Sequence, residues 1–201
     1  MKKIILSIAI FFLLITQSLG HVDHYKKYNY LEYELFRNNN SIGYHKYDFI
    51  IEGHNLSIAS EVSFKISKLG VELYRYFAKS EENYEKGIFK SYFSKTKQNK
   101  KDRFVNIKLD SKKENLIIDG SSYKGLADKD YIVGTWWNHE IIQKKAQISG
   151  ISGRIIEQTV TFVGKEEIKI GEKVYKTLRL KRKHTFGSKQ LLIKLVIGSI
   201  G

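Results

Sequence analysis

The chain has 201 residues, with 35 Lys and Arg against 21 Asp and Glu, six histidines, no cysteine and no proline. That length suits one domain with an appendage, and 42% hydrophobic content supplies a core and excludes a disordered chain. The absence of cysteine excludes disulfides, thiolate zinc sites, a cysteine nucleophile and an acylated lipoprotein, while a formal charge of +14 raises nucleic acid or an anionic membrane as partners.

Lys2 and Lys3 precede an apolar run over 4–15, followed by Thr16-Gln17-Ser18-Leu19-Gly20 and the polar His21. A basic start, an apolar stretch and small residues before a polar one read as a signal peptide over 1–20. Cleavage after Gly20 and cleavage after Ser18 both meet the small-residue rule. An uncleaved anchor is the alternative, but the run is shorter than the roughly 20 apolar residues a span takes. The mature chain is therefore expected in the periplasm of a Gram-negative bacterium, or secreted, with no integral membrane span. Export argues against nucleic acid, and so does composition. Only Arg37, Arg75, Arg103, Arg154, Arg179 and Arg182 are arginine, the residue that reads guanine and phosphate with two parallel bonds. The charge is background lysine usage, and no nucleic-acid partner is expected.

Period-2 alternation dominates the remainder, the signature of strands with one face buried and one wet. Leu31, Tyr33 and Leu35 mark a first strand, and Tyr47, Phe49 and Ile51 a second. Asn38-Asn39-Asn40-Ser41-Ile42-Gly43 between them reads as a hairpin connection. Leu56, Ile58, Val62, Phe64 and Ile66 share one parity, with Ser57, Ala59, Glu61, Ser63 and Lys65 on the other. After a turn near Gly70 the apolar positions run from Val71 and Leu73 to Phe77. Phe89 and Phe93, then Val105, Ile107 and Leu109, mark two more strands; the lysine-rich stretch 95–101 between them is expected to be a solvated hairpin tip.

Leu116-Ile117-Ile118 is a short strand ending at Asp119-Gly120. The texture then changes over 121–153, where 136–144 has the pattern of two helical turns with Trp137, Ile141 and Ile142 on one side. Ser149-Gly150-Ile151-Ser152-Gly153 reads as a turn. Alternation returns at Ile156, Val160 and Phe162, at Ile168 and Ile170, and at Val174, Leu178 and Leu180, with Gly164 and Gly171 marking turns. Residues 184–201 form an apolar tail without alternation, either a buried last strand or a sequence altered near its end. It is too short to cross a bilayer.

These strands, tight turns and the lack of a linker predict a single antiparallel β domain over 24–183. An up-and-down barrel, an open half-barrel and a sandwich all suit the pattern. Through 31–43, Gly134-Thr135-Trp136-Trp137-Asn138, and 153–180 with Gly164-Lys165-Glu166-Glu167, the sequence resembles exported bacterial domains of unknown function. Their sheets look like those of the lipoprotein carriers LolA and LolB, and the resemblance covers about 30–180. It implies a mainly β fold, a strongly curved antiparallel sheet or open half-barrel with a short helical insert on its concave side. It implies no established activity; carriers of this shape hold acyl chains in the concavity. The final aromatic-rich hairpin of that pattern is replaced after Lys183 by the apolar tail.

Histidines 21, 24, 45, 54, 139 and 184 show no metal-ligand spacing. A mature start at Leu19 would place His21 third, where it binds Cu(II) or Ni(II) with the amine and two amides; a start at His21 removes that arrangement. Glu81-Glu82 and Glu166-Glu167 fall in predicted turns and read as solvated charge. No nucleophile, acid–base pair, metal site or cofactor site is assembled, so no enzymatic activity and no cofactor are expected. Trp136, Trp137 and Asn138 are the most informative cluster. Either Trp137 lines an apolar pocket while Asn138 orients a ligand, or the tryptophan plugs the hollow and Asn138 or Thr135 caps the helix. Together with Phe64 and Phe77 on the apolar parity of their strands, they are the candidate ligand contacts. The expectation is an exported protein that binds a hydrophobic ligand, a lipid or acyl chain, in the concave sheet. The alternative is a cell-envelope interaction or assembly module using an exposed sheet edge or basic face.

Overall fold

Short junctions turn the first half of the chain back on itself five times. The computed structural model describes residues 29–112, 114–184 and 191–195; the expected signal peptide over 1–20 and the start of the predicted domain at 24 lie outside them. Two residues separate each of β1 (Tyr30–Arg37), β2 (Asn40–Glu52), β3 (Asn55–Lys68), β4 (Val71–Glu85), β5 (Ile88–Gln98) and β6 (Lys101–Leu109) from the next. Asn38 and Asn39 both take left-handed φ values, 50° and 61°, as the mirror-image turn that suits strand twist requires. β7 (Asn115–Gly120) and β8 (Tyr123–Asp128) complete an eight-stranded antiparallel sheet in which sequence order is spatial order.

The second sheet is ordered β13-β12-β11-β10-β9. It comprises β9 (Ile132–Val133), β10 (Ala146–Ile148), β11 (Ile155–Ile170), β12 (Lys173–His184) and β13 (Leu191–Leu195). All pairs are antiparallel except β9 with β10. The fold is thus mainly β, an antiparallel half-barrel whose large sheet curls strongly. Among the described residues no helix is long and apolar enough to cross a membrane.

Bulges produce part of the curl, because an extra residue bends the strand that carries it. Register shifts fall at Leu35/Phe36, Ile66/Ser67 and Asn83/Tyr84 in the large sheet, and at Phe162/Gly164 in the small one. Gly43 sits at the first, where a Cβ would collide with the Ser63 carbonyl and with Phe64, so only glycine fits.

Paired residues point to the same face, so the registers define transverse rows across the concave side. One row runs Phe49, Ile58, Glu82, Tyr92, Ile107, Ile118 and is buried throughout. Around it two clusters form the core. Tyr92, Val105, Ile107, Leu116, Ile118 and Ala127 pack against Val133 and Ile148 from the second sheet, while Tyr47, Phe49, Leu56, Ile58 and Tyr84 pack around Trp137.

Several elements differ from the sequence reading. The two helical turns over 136–144 contract to one 3-10 turn, His139–Ile142, because Thr135 and Trp137 both reach the same buried carboxylate and hold the preceding segment extended. Gly164 is a bulge inside one long strand, not a turn between two. β8 lies where no strand was expected. Phe93 faces outward, since the bulge opposite Asn83/Tyr84 reverses parity between Phe89 and Ser91. Within the apolar tail, β13 pairs with β12, so a last strand does form.

Candidate functional site

Moving along β3, β4 and β5 away from the core row, the inward side chains shrink. The next row reads Tyr47, Ser60, Ser80, Ser94, Val105, and the one after it His45, Val62, Ala78, Thr96, Arg103. Serines and alanine cannot fill the curve of a half-barrel, and a hollow of about 1560 Å³ results. It exceeds the roughly 300–1,000 Å³ usual for small-molecule sites. Its floor includes buried Tyr47, Tyr92 and Ser94, and its mouth the half-exposed Tyr33 and Trp136.

A third row supplies aromatic wall: Gly43, Phe64, Tyr76, Gln98. The Phe64 and Tyr76 rings stack with centroids 5.0 Å apart, and Tyr74 lies 5.8 Å from Phe64. Gln98 Nε2 donates to the Tyr74 hydroxyl at 3.2 Å. Phe64 therefore lies in the hollow wall. Phe77 does not: it pairs with Ser63 while Phe64 pairs with Tyr76, so it stands on the outer face beneath the Lys79 ammonium, and Tyr76 takes the inward position. The parity expected from Val71 and Leu73 is the outward one, since both are exposed.

The insert separates the three remaining candidates. Thr135 and Trp137 are two apart on an extended segment and project to one side. There Trp137 Nε1 donates to Glu82 Oε2 at 2.8 Å, Thr135 Oγ1 donates to the same oxygen at 3.1 Å, and the Tyr84 hydroxyl donates to Oε1 at 2.5 Å. Trp137 meets Phe49 and Tyr84 edge-on at 5.9 Å, filling one end of the concavity as a plug. Burial holds the Glu82 carboxyl above its usual range, against the pull of those three donors. Asn138, next to Trp137 in the chain, is also buried, and its Oδ1 accepts the Glu140 N–H at 2.9 Å as cap of the 3-10 turn. Trp136, between Thr135 and Trp137, lines the hollow.

Glu82, expected as solvated charge in a turn, is instead buried within β4, and two further features escape the sequence reading. His45 Nε2 lies 2.9 Å from Ser60 Oγ, and the Tyr47 hydroxyl 3.3 Å from His45 Nδ1. Desolvation lowers the His45 pKa to about 4, so the imidazole is neutral at physiological pH. This row can present a neutral donor or acceptor to a bound molecule. The other is Arg182 on β12, only 7% exposed, with its guanidinium 5.4 Å from the Trp136 ring centroid. The signal for it was present: Arg182 continues the apolar parity of Leu178 and Leu180. The Ser149-to-Gly153 turn does form, and its Gly150 carbonyl accepts from Ser94 Oγ and the Tyr92 hydroxyl at the floor. Among the described residues no cluster of three or more His, Asp or Glu could hold a metal ion.

The sequence profile of a family described as a domain of unknown function, DUF6134, matches residues 33–193. The crystal structure of a beta-barrel-like protein of domain of unknown function DUF1849 from Brucella abortus is similar, with a TM-score of 0.50 and 12% identity. The match covers 77% of this chain and 76% of that one. Identity this low speaks to the fold alone. No curated protein matches.

Proposed function

The chain belongs to the DUF6134 family of unknown function, so its role is read from the hollow: we propose that it is an exported periplasmic protein that binds a hydrophobic ligand, a lipid or acyl chain, in its concave sheet. The carrying observation is the hollow itself, about 1560 Å³ walled by Phe64, Tyr74, Tyr76, Val62 and Trp136, while the Trp137 plug fills only one end. An aromatic and aliphatic wall of this kind would favour apolar surface by roughly 25 cal/mol for each Å² removed from water. The likeness to LolA and LolB expected from the sequence supplies the analogy for an acyl chain, and the first twenty residues supply the argument for export.

Native mass spectrometry of protein purified from cells, followed by lipid extraction, tests this reading. A co-purifying lipid is expected, and Ala78→Trp in the middle of the hollow should expel it while changing stability by less than about 1 kcal/mol. A wild-type protein that carries no lipid and takes up no fatty acid on incubation would sink it.

A further inference from the structure

The hollow is uneven in charge. Among its lining residues are two arginines, Arg154 and Arg182, and a single carboxylate, Glu34, which is exposed on the edge strand β1. Arg182 is the unusual one. Its side chain is buried in the wall, its Nε finds no hydrogen-bond acceptor among the described residues, and no carboxylate pairs with it there. Its guanidinium lies over the face of Trp136. The cation–π contact with the indole holds the guanidinium at the wall, where its Nε–H is left to donate. A buried guanidinium N–H left without an acceptor costs stability, and such a group is explained when a ligand completes it.

Resting on the reading above, we propose that the ligand is an amphiphile with an anionic oxyanion headgroup, carboxylate or phosphate, held by Arg182 against Trp136 with its apolar chain along Phe64, Tyr76 and Val62. Arg182 is then the residue that selects acids over neutral lipids.

The test titrates the wild-type protein and Arg182→Gln with oleate, oleyl alcohol, oleoyl lysophosphatidate, monoolein and inorganic phosphate, following tryptophan fluorescence. Wild type is expected to bind the two acids at least about tenfold tighter than their neutral counterparts. Arg182→Gln should erase that preference and leave the neutral ligands unchanged, and Arg182→Lys should restore part of it. Without ligand, Arg182→Gln should melt at the same or a higher temperature, since it removes a buried N–H that has no acceptor. Equal affinity for acids and neutral lipids overturns the headgroup assignment and leaves the hollow intact as a binding site. Failure of every amphiphile to bind overturns both. Inorganic phosphate binding as tightly as lysophosphatidate overturns the amphiphile. A lower melting temperature for Arg182→Gln with an unchanged preference makes Arg182 a structural residue and overturns its role as selector.

Discussion

Along β3, β4 and β5 the same three strands pass through two different environments. At one end their inward residues are Leu56 and Ile58, Tyr84 and Glu82, and Tyr92, closed over by Trp137 and by Val133 and Ile148. At the other they are Ser60, Val62 and Phe64, Ser80, Ala78 and Tyr76, and Ser94, Thr96 and Gln98, and nothing among the described residues fills the space between them. The strands stay paired from one end to the other, with single-residue bulges at Ile66/Ser67 and Asn83/Tyr84. Side-chain volume and the reach of one inserted segment therefore decide which end is core and which is hollow. A curved sheet supplies the concavity, and the packed end fixes its shape so that the other end can stay open.

Removing the plug should have the largest effect. Trp137→Ala deletes the centre of one core cluster and one of the donors to Glu82, and is expected to cost about 3–5 kcal/mol by chemical denaturation. A loss below about 1 kcal/mol would show that the two ends do not differ in packing as described.

Glu82 sharpens the same contrast through pH. Its pKa is raised by burial, so the folded state holds the proton more firmly than the unfolded chain. That contribution to stability is complete below the unfolded value near 4.5 and is lost as pH rises through the folded one. Glu82→Gln keeps an acceptor for Trp137 and Thr135 without a charge. It should therefore gain on wild type as pH rises through the folded-state pKa of Glu82, as followed by denaturant unfolding across the acid-to-alkaline range. Parallel stability curves across the acid-to-neutral range would mean that Glu82 titrates alike in both states.

The smallest effects distinguish the two faces of one hairpin. Phe64→Ala, in the hollow wall, should weaken ligand binding several-fold and cost about 1–2 kcal/mol. Phe77→Ala, on the outer face of the neighbouring strand, should change stability by less than about 1 kcal/mol and leave binding alone. Reversed outcomes would mean that the β3–β4 register is off by one residue.

Much of the architecture was legible because strand periodicity is a local property. The alternation of Leu56, Ile58, Val62, Phe64 and Ile66 survives intact as the inner face of β3. Where reading failed, the cause was a choice between two plausible parities. On β4, Val71, Leu73 and Phe77 compete with Tyr74, Tyr76 and Ala78, and only pairing with β3 decides that the second set turns inward. Bulges did the same on β5, since a single extra residue swaps the faces of Phe89 and Phe93 and carries no strong sequence mark. The Trp-Trp-Asn cluster was recognised, but its division was not. An extended backbone sends Trp136 to one side and Trp137 to the other, whereas a helix would have grouped Trp137 with Ile141.

By itself the sequence determined a cysteine-free, one-sidedly apolar chain of many short-turned strands, because turn chemistry and period-2 patterning act between near neighbours. Only the tertiary structure decided that Glu82, 53 to 55 residues from Thr135 and Trp137, anchors the insert, and that Arg182 meets Trp136 at the wall of the hollow. Those juxtapositions depend on how a curved sheet brings distant residues onto one concave face, and no local pattern records them.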